Sequence, residues 1–74
     1  MKIEYDPQHD IMNIELISGA EIEESVEVDG IIIDYTKEKK VASVEILDVG
    51  KRAEPDILEE INLVILKSEA KATQ

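Results

Sequence analysis

Hydrophobic and polar residues alternate along most of the first fifty positions of the chain. The alternation is clearest over residues 21–29, where a two-residue period places Ile22, Val26 and Val28 on one side of an extended strand. The opposite side carries four acids, Glu21, Glu23, Glu27 and Asp29, and Ser25 is its one uncharged residue. The segment is predicted to form a half-buried strand with an acidic outer side.

Four further segments show the same pattern and are separated by turn signals. They cover residues 2–5, 11–16, 31–35 and 41–49, and the turns include Asp6-Pro7, Ser18-Gly19 and Asp29-Gly30. The pattern predicts a five-stranded, mainly antiparallel β-meander. Because 41–49 is apolar on both sides, it is predicted to be a central strand or one whose second face is partly covered. One face is predicted to bear Ile3, Tyr5, Ile14, Leu16, Val26, Ile33, Val44 and Ile46.

The hydrophobic period changes after Arg52. Pro55 suits the first turn of a helix, and an apolar stripe follows that consists of Ile57, Ile61, Val64 and Ile65. The predicted fold is therefore α+β: a sheet domain over 1–52, one C-terminal helix over 53–67 packed on one face, and a frayed tail over 68–74.

The predicted helix is too apolar for a single contact, because Leu58, Leu63 and Leu66 widen its stripe. Two interpretations stay open: the helix packs only on its own sheet, or it also meets a second copy. A chain of 74 residues without cysteine has little core and no disulfide to support it. We expect a homodimer whose interface includes Ile57, Ile61, Val64 and Ile65.

Charge narrows the range of partners. The chain has 18 acidic and 8 basic residues, and its formal net charge is −10. Such a protein repels phosphate backbones and anionic lipid, so neither nucleic acid nor a membrane is an expected partner. A basic protein that contacts Glu21, Glu23, Glu27 and Asp29 fits better, although acidity alone also serves solubility. With no secretory pattern at residues 1–5, the expected location is cytoplasmic.

Chemistry-bearing motifs are sparse. His9 is the single histidine and lies between Asp6 and Asp10, so these three could form a small ligand or divalent-cation site. The four serines lack a motif that would activate a hydroxyl, and the glycines stand singly. We therefore predict no catalytic residue, no metal site, no cofactor and no enzymatic activity.

Four stretches carry a family resemblance: residues 1–7 with Tyr5-Asp6-Pro7, 10–16, 30–35, and 44–49 with Glu45-Ile46-Leu47-Asp48. Over about the first 52 residues the chain resembles the YuzE-like family, domain of unknown function 2283. The resemblance implies no activity, although some members lie beside predicted toxin genes and have been proposed as antitoxins. The predicted function is a non-enzymatic protein-interaction module, with an antitoxin-like inhibitor as one form. The alternative is a small ligand- or divalent-cation-binding domain.

Overall fold

Five strands and one short helix make up the structure, a computed structural model that describes residues 1–67. The strands are β1 (Lys2–Asp6), β2 (Ile11–Glu15), β3 (Glu24–Val28), β4 (Ile31–Tyr35) and β5 (Val41–Leu47), followed by α1 (Val49–Arg52). The predicted α+β class, the five strands and a helix C-terminal to them are confirmed. The tail predicted over 68–74 lies outside the described residues.

All neighbouring strands pair antiparallel, in the spatial order β1-β2-β5-β4-β3. This order differs from a sequential meander at one point, because the connection after β2 carries the chain across the sheet to the far edge. β5 returns to the centre, between β2 and β4. Its central position agrees with the apolar residues on both of its sides.

The pairing register sorts the strand residues onto two faces. One row runs through Ile3, Ile14, Val44, Ile33 and Val26, and a second runs through Tyr5, Met12, Ile46, Ile31 and Val28. We call these two rows the apolar face. The other side, the polar face, carries most of the strand acids: Glu4, Asp6, Glu15, Glu27, Asp34 and Glu45. The predicted division between inward and outward side chains is thus confirmed for the strands.

The tight hairpin between β3 and β4 matches its sequence signal. Asp29 and Gly30 have φ values of 53° and 76°, the left-handed pair that a two-residue turn of this kind requires. Behind this turn, a Cβ at position 30 would meet the Arg52 guanidinium, which would have to move. The turn requires Gly30, and the neighbouring arginine adds a second reason for a residue without a side chain.

The helix is shorter and earlier than predicted. It spans Val49–Arg52, whereas residues 53–67 contain bends, a turn and irregular chain but no helix. Four of the apolar side chains expected on the helical stripe or beside it stay largely exposed, at 65% for Ile61, 72% for Val64, 86% for Ile65 and 71% for Leu58. A short helix is marginal unless its apolar face packs on something, and β-branched residues lower its propensity further.

The interior of a single chain is small. Within residues 1–67 the buried apolar residues are Ala42, Val49 and Ile57, and no large side chain is fully buried. Of the residues predicted at a helical dimer interface, only Ile57 is buried in its own chain, at 6% exposure. The same residues include no helix that is long and apolar enough to cross a membrane.

Candidate functional site

An acidic row crosses the whole polar face. The register aligns Glu4 of β1, Asn13 of β2, Glu45 of β5, Ile32 of β4 and Glu27 of β3. The three glutamates thus alternate with uncharged side chains from one edge of the sheet to the other. We call Glu4, Glu45 and Glu27 the acidic row.

The spacing of the acidic row follows from the sheet itself. Strands lie about 4.8 Å apart, so glutamates on every second strand are separated by roughly 10 Å. Carboxylates at this distance cannot share one cation. Within residues 1–67, no group of three His, Asp or Glu side chains is arranged to hold a metal ion.

One end of the acidic row borders an open depression of about 530 Å³. Glu4, Asn13 and Glu45 form part of its wall, and Asp6, Pro7 and Ile11 complete the side nearest the turn between β1 and β2. Of the two acidic-row residues that line it, Glu4 is exposed and Glu45 is half-buried. The depression can accommodate a side chain from a partner that lies across β1, β2 and β5.

The four acids predicted to bind a partner are placed in different surroundings. Glu27 belongs to the acidic row, whereas Glu21 and Glu23 precede β3 and line a shallow depression with Lys37. Asp29 lies in the hairpin turn, where its carboxylate is 3.7 Å from the guanidinium of Arg52. The continuous acidic surface therefore extends across the strands, from Glu27 toward Glu45 and Glu4, instead of along the single segment 21–29.

Beside the acidic row, Asp34 joins three strands. Its carboxylate accepts hydrogen bonds from the Ser25 hydroxyl at 2.5 Å and from the Ser43 hydroxyl at 2.6 Å. Because Ser25, Asp34 and Ser43 are register partners, the three side chains form a polar bridge across β3, β4 and β5. Both serine hydroxyls that face Asp34 thus have a structural role.

The residues considered for a ligand site divide into two pairs. The His9 ring Nδ1 lies 2.8 Å from Asp6 Oδ2, and the backbone N–H of Gln8 donates to Asp6 Oδ1 at 2.9 Å. The hydrogen bond with His9, followed by the backbone N–H groups, lowers the pKa of Asp6. Asp6 and His9 are thus brought together, in an exposed turn.

Asp10 has different partners. It accepts a 2.7 Å hydrogen bond from the Tyr5 hydroxyl and is 2.8 Å from the backbone N–H of Gly50, forty positions along the chain. These hydrogen bonds lower the pKa of Asp10, and the bond to Asp10 raises the pKa of Tyr5 to about 12. Asp10 therefore ties the first hairpin to the start of α1 and does not join Asp6 and His9 in one ligand set.

Arg52 is a structural residue that sequence reasoning does not single out. Its Nε donates to the carbonyl of Leu47 at 2.8 Å, and its Nη2 donates to the carbonyl of Asp29 at 2.5 Å. One side chain thus connects the end of β5 with the β3–β4 turn. No local motif marks such a residue, because its partners come from two separate parts of the sequence.

Comparison with known families adds one finding. Residues 2–49, which include all five strands, match the family described as "Protein of unknown function (DUF2283)". The chain belongs to this family. The match confirms the resemblance to domain of unknown function 2283, whereas the YuzE-like name stays a prediction. The matched residues contain Tyr5, Asp10 and the whole acidic row. Searches of curated proteins and of solved structures gave no match.

Proposed function

We propose that this DUF2283 protein is a non-enzymatic protein-interaction module that binds a basic protein across its acidic row. The single observation that carries the proposal is the alignment of Glu4, Glu45 and Glu27 across five strands, on a face that is open to solvent. An antitoxin-like inhibitor, which would cover a basic surface of its target, is one form of such a module.

Charge distribution supports a basic partner. In the register-paired part of the polar face, six acids stand with one base, Lys2, which is itself 3.8 Å from Glu4. An arrangement of one sign attracts the opposite sign, raises the association rate and disfavours acidic partners. The repeat of roughly 10 Å between glutamates suits separate lysine or arginine side chains, one for each carboxylate.

The surroundings of the other polar side chains support a binding role without catalysis. Asp34 is engaged by two serines, Asp10 by Tyr5 and Gly50, and Asp6 by His9. Each of these groups contributes to local structure where it lies. The glutamates of the acidic row, by contrast, project from a regular sheet and meet a partner without rearrangement of the backbone.

The test compares two triple variants with the same change in net charge. Glu4→Gln, Glu27→Gln and Glu45→Gln together neutralise the acidic row, whereas Glu38→Gln, Glu54→Gln and Glu59→Gln neutralise exposed acids elsewhere. Affinity capture from the native host should recover a basic protein in stoichiometric amount with the parent and the control. The acidic-row variant should lose it, and raised salt should release it from the parent.

Two results would contradict the proposal. One is equal capture of the same protein by both triple variants, which would place its binding surface elsewhere. The other is the absence of any stoichiometric basic protein in captures made with the folded parent. Circular dichroism of each variant establishes that a lost interaction does not reflect an unfolded sheet.

A further inference from the structure

The apolar face is only partly covered in the part of the chain that the structure describes. Its ten register-paired residues include Ile3, Val26 and Val28, which are 48%, 38% and 63% exposed, and the residues on the inner strands are only half-buried. A β-sheet with one apolar face is stable when that face packs against another layer. Something must therefore cover this surface beyond the described contacts of one chain.

In the chain's own C-terminal segment Ile57 is buried, at 6% exposure, but the apolar residues that follow it supply no such layer. From residue 58 to 66 its large apolar side chains are 65–86% exposed, with the extremes at Ile61 and Ile65. Residues 58–66 thus add exposed apolar surface to that of the sheet. Apolar area of this extent marks an interaction surface.

The positions of the charges indicate which kind of molecule can cover the apolar face. Both rows of the apolar face lack charged residues, and the nearest charged strand residue on that side, Glu24, is 3.9 Å from the Lys39 ammonium. A chain with a formal charge of −10 can therefore meet its own copy through this face while the six strand acids of the polar face point away. The charged groups at its margin, Glu24 and Asp10, already have partners in Lys39 and Tyr5, so the face offers little to a strongly charged partner.

The available area suits a dimer of this chain. Five strands about 4.8 Å apart and five residues of about 3.4 Å each give a flat face of roughly 400 Å², or about 800 Å² for two copies. The relief of the side chains makes the accessible area that is buried larger than this flat value. The total then reaches the range of about 1,000 Å² and above that is typical of specific interfaces.

We propose that the protein is a two-fold homodimer in which the apolar faces of two copies stack on each other. The interface is the sheet, with Ile14, Val44 and Ile33 near its centre, instead of the helix expected from the sequence. A self-complementary patch related by a two-fold axis is the usual arrangement for small soluble oligomers. This assembly goes beyond the acidic-row proposal, because it directs two acidic rows outward on opposite sides of one particle.

Adjacent isoleucines of β4 provide a matched test. Ile33 lies on the apolar face and Ile32 on the polar face between Glu27 and Glu45. Sedimentation equilibrium should give twice the 8.3 kDa chain mass for the parent and for Ile32→Lys at micromolar loading. Ile33→Lys would place two unpaired charges in the interface and should weaken dimerisation at least about a hundredfold.

If Ile33→Lys does not fold, Val28→Lys provides a second test of the interface. Val28 is 63% exposed at a corner of the apolar face, so a lysine there is tolerated by the single sheet and should weaken the dimer by about tenfold. A parent mass of one chain at every loading would overturn the proposal. A dimer that survives Ile33→Lys and Val28→Lys, or that Ile32→Lys disrupts, would also overturn it. These measurements need no basic partner, so they are decided independently of the capture experiment.

Discussion

Asp10 shows how much one residue can contribute to the order of a small sheet. It has a left-handed backbone, with φ of 58°, and its carboxylate is held by Tyr5 and Gly50. The backbone carbonyl of the same residue accepts a hydrogen bond from the N–H of Val49 at 3.2 Å. Asp10 therefore connects the β1–β2 hairpin to the segment that follows β5, although the two are distant in sequence.

Acid should test the role of the Asp10 carboxylate. In the folded state, its hydrogen bonds lower its pKa below the ordinary value of 3.8. The ionised carboxylate therefore stabilises the folded protein relative to the unfolded chain. The resulting stabilisation is complete above pH 3.8 and is lost as the pH falls through the lower folded-state pKa. Urea unfolding between about pH 5 and pH 2 should show a smaller loss of stability in Asp10→Asn than in the parent.

Asp6 is the comparison for that experiment, because its pKa is also lowered, chiefly by the hydrogen bond with His9. Asp6→Asn should remove a separate part of the acid sensitivity, and the double variant should show the smallest loss. An identical pH dependence of the parent and Asp10→Asn would mean that the Tyr5 and Gly50 contacts do not favour the ionised carboxylate.

Two glycines with positive φ separate backbone strain from side-chain crowding. Gly19 has a φ of 67°, and a Cβ added there would have no other atom within 4 Å. Gly19→Ala should therefore lower the free energy of unfolding by only about 1 kcal/mol. Gly30→Ala must also displace the Arg52 guanidinium and should cost about 1–2 kcal/mol more in urea unfolding. In an Arg52→Ala background the two alanine substitutions should cost about the same. An excess at position 30 that persists without Arg52 would contradict this explanation.

At the scale of the elements, the hydrophobic pattern predicts the strands well and the helix poorly. Alternation over 22–28 or 31–35 is specific because a shift by one residue exchanges the two faces of a strand. The period after Arg52 is less informative, because a short apolar segment becomes helical only when its stripe has a surface on which to pack. Of the four residues in the predicted stripe, only Ile57 is buried. The other three, Ile61, Val64 and Ile65, are exposed and have no surface on which to pack.

The order of the strands and the arrangement of the acids are also beyond prediction from the hydrophobic pattern. Alternation places Glu4, Glu27 and Glu45 on outer faces, but only the pairing of β2 with β5 aligns them in one row. A local pattern cannot specify which distant strands pair. For the same reason, Arg52 and the contact between Asp10 and Gly50 become visible only in the folded sheet.

The serine–aspartate bridge across β3, β4 and β5 should stabilise the sheet unequally on its two sides. Ser43 is half-buried on the central strand, whereas Ser25 is exposed on the edge strand. Ser43→Ala should therefore lower the free energy of unfolding by about 1–1.5 kcal/mol and Ser25→Ala by about 0.5 kcal/mol. In an Asp34→Ala background both costs should nearly vanish, which urea unfolding can measure. Unchanged costs in that background would show that the serines do not act through Asp34.

On the scale of the whole molecule, the two faces of the sheet differ in chemistry. The apolar face holds aliphatic and aromatic residues in two uncharged rows, and the polar face holds the acidic row. The first suits stacking on a second copy and the second suits a basic partner. A net charge of −10 then keeps the assembled particles apart in solution while leaving the apolar interface free of repulsion between strand acids.

The central claim is that one chain completes its core with another, and the concentration dependence of thermal unfolding tests this most directly. When folding is coupled to dimerisation, mass action raises the melting temperature with protein concentration. For a domain of this size, a hundredfold increase in concentration should raise the melting temperature of the parent by about 5–10 °C. The same melting temperature at every concentration would contradict the claim and show that the fold is complete within a single chain.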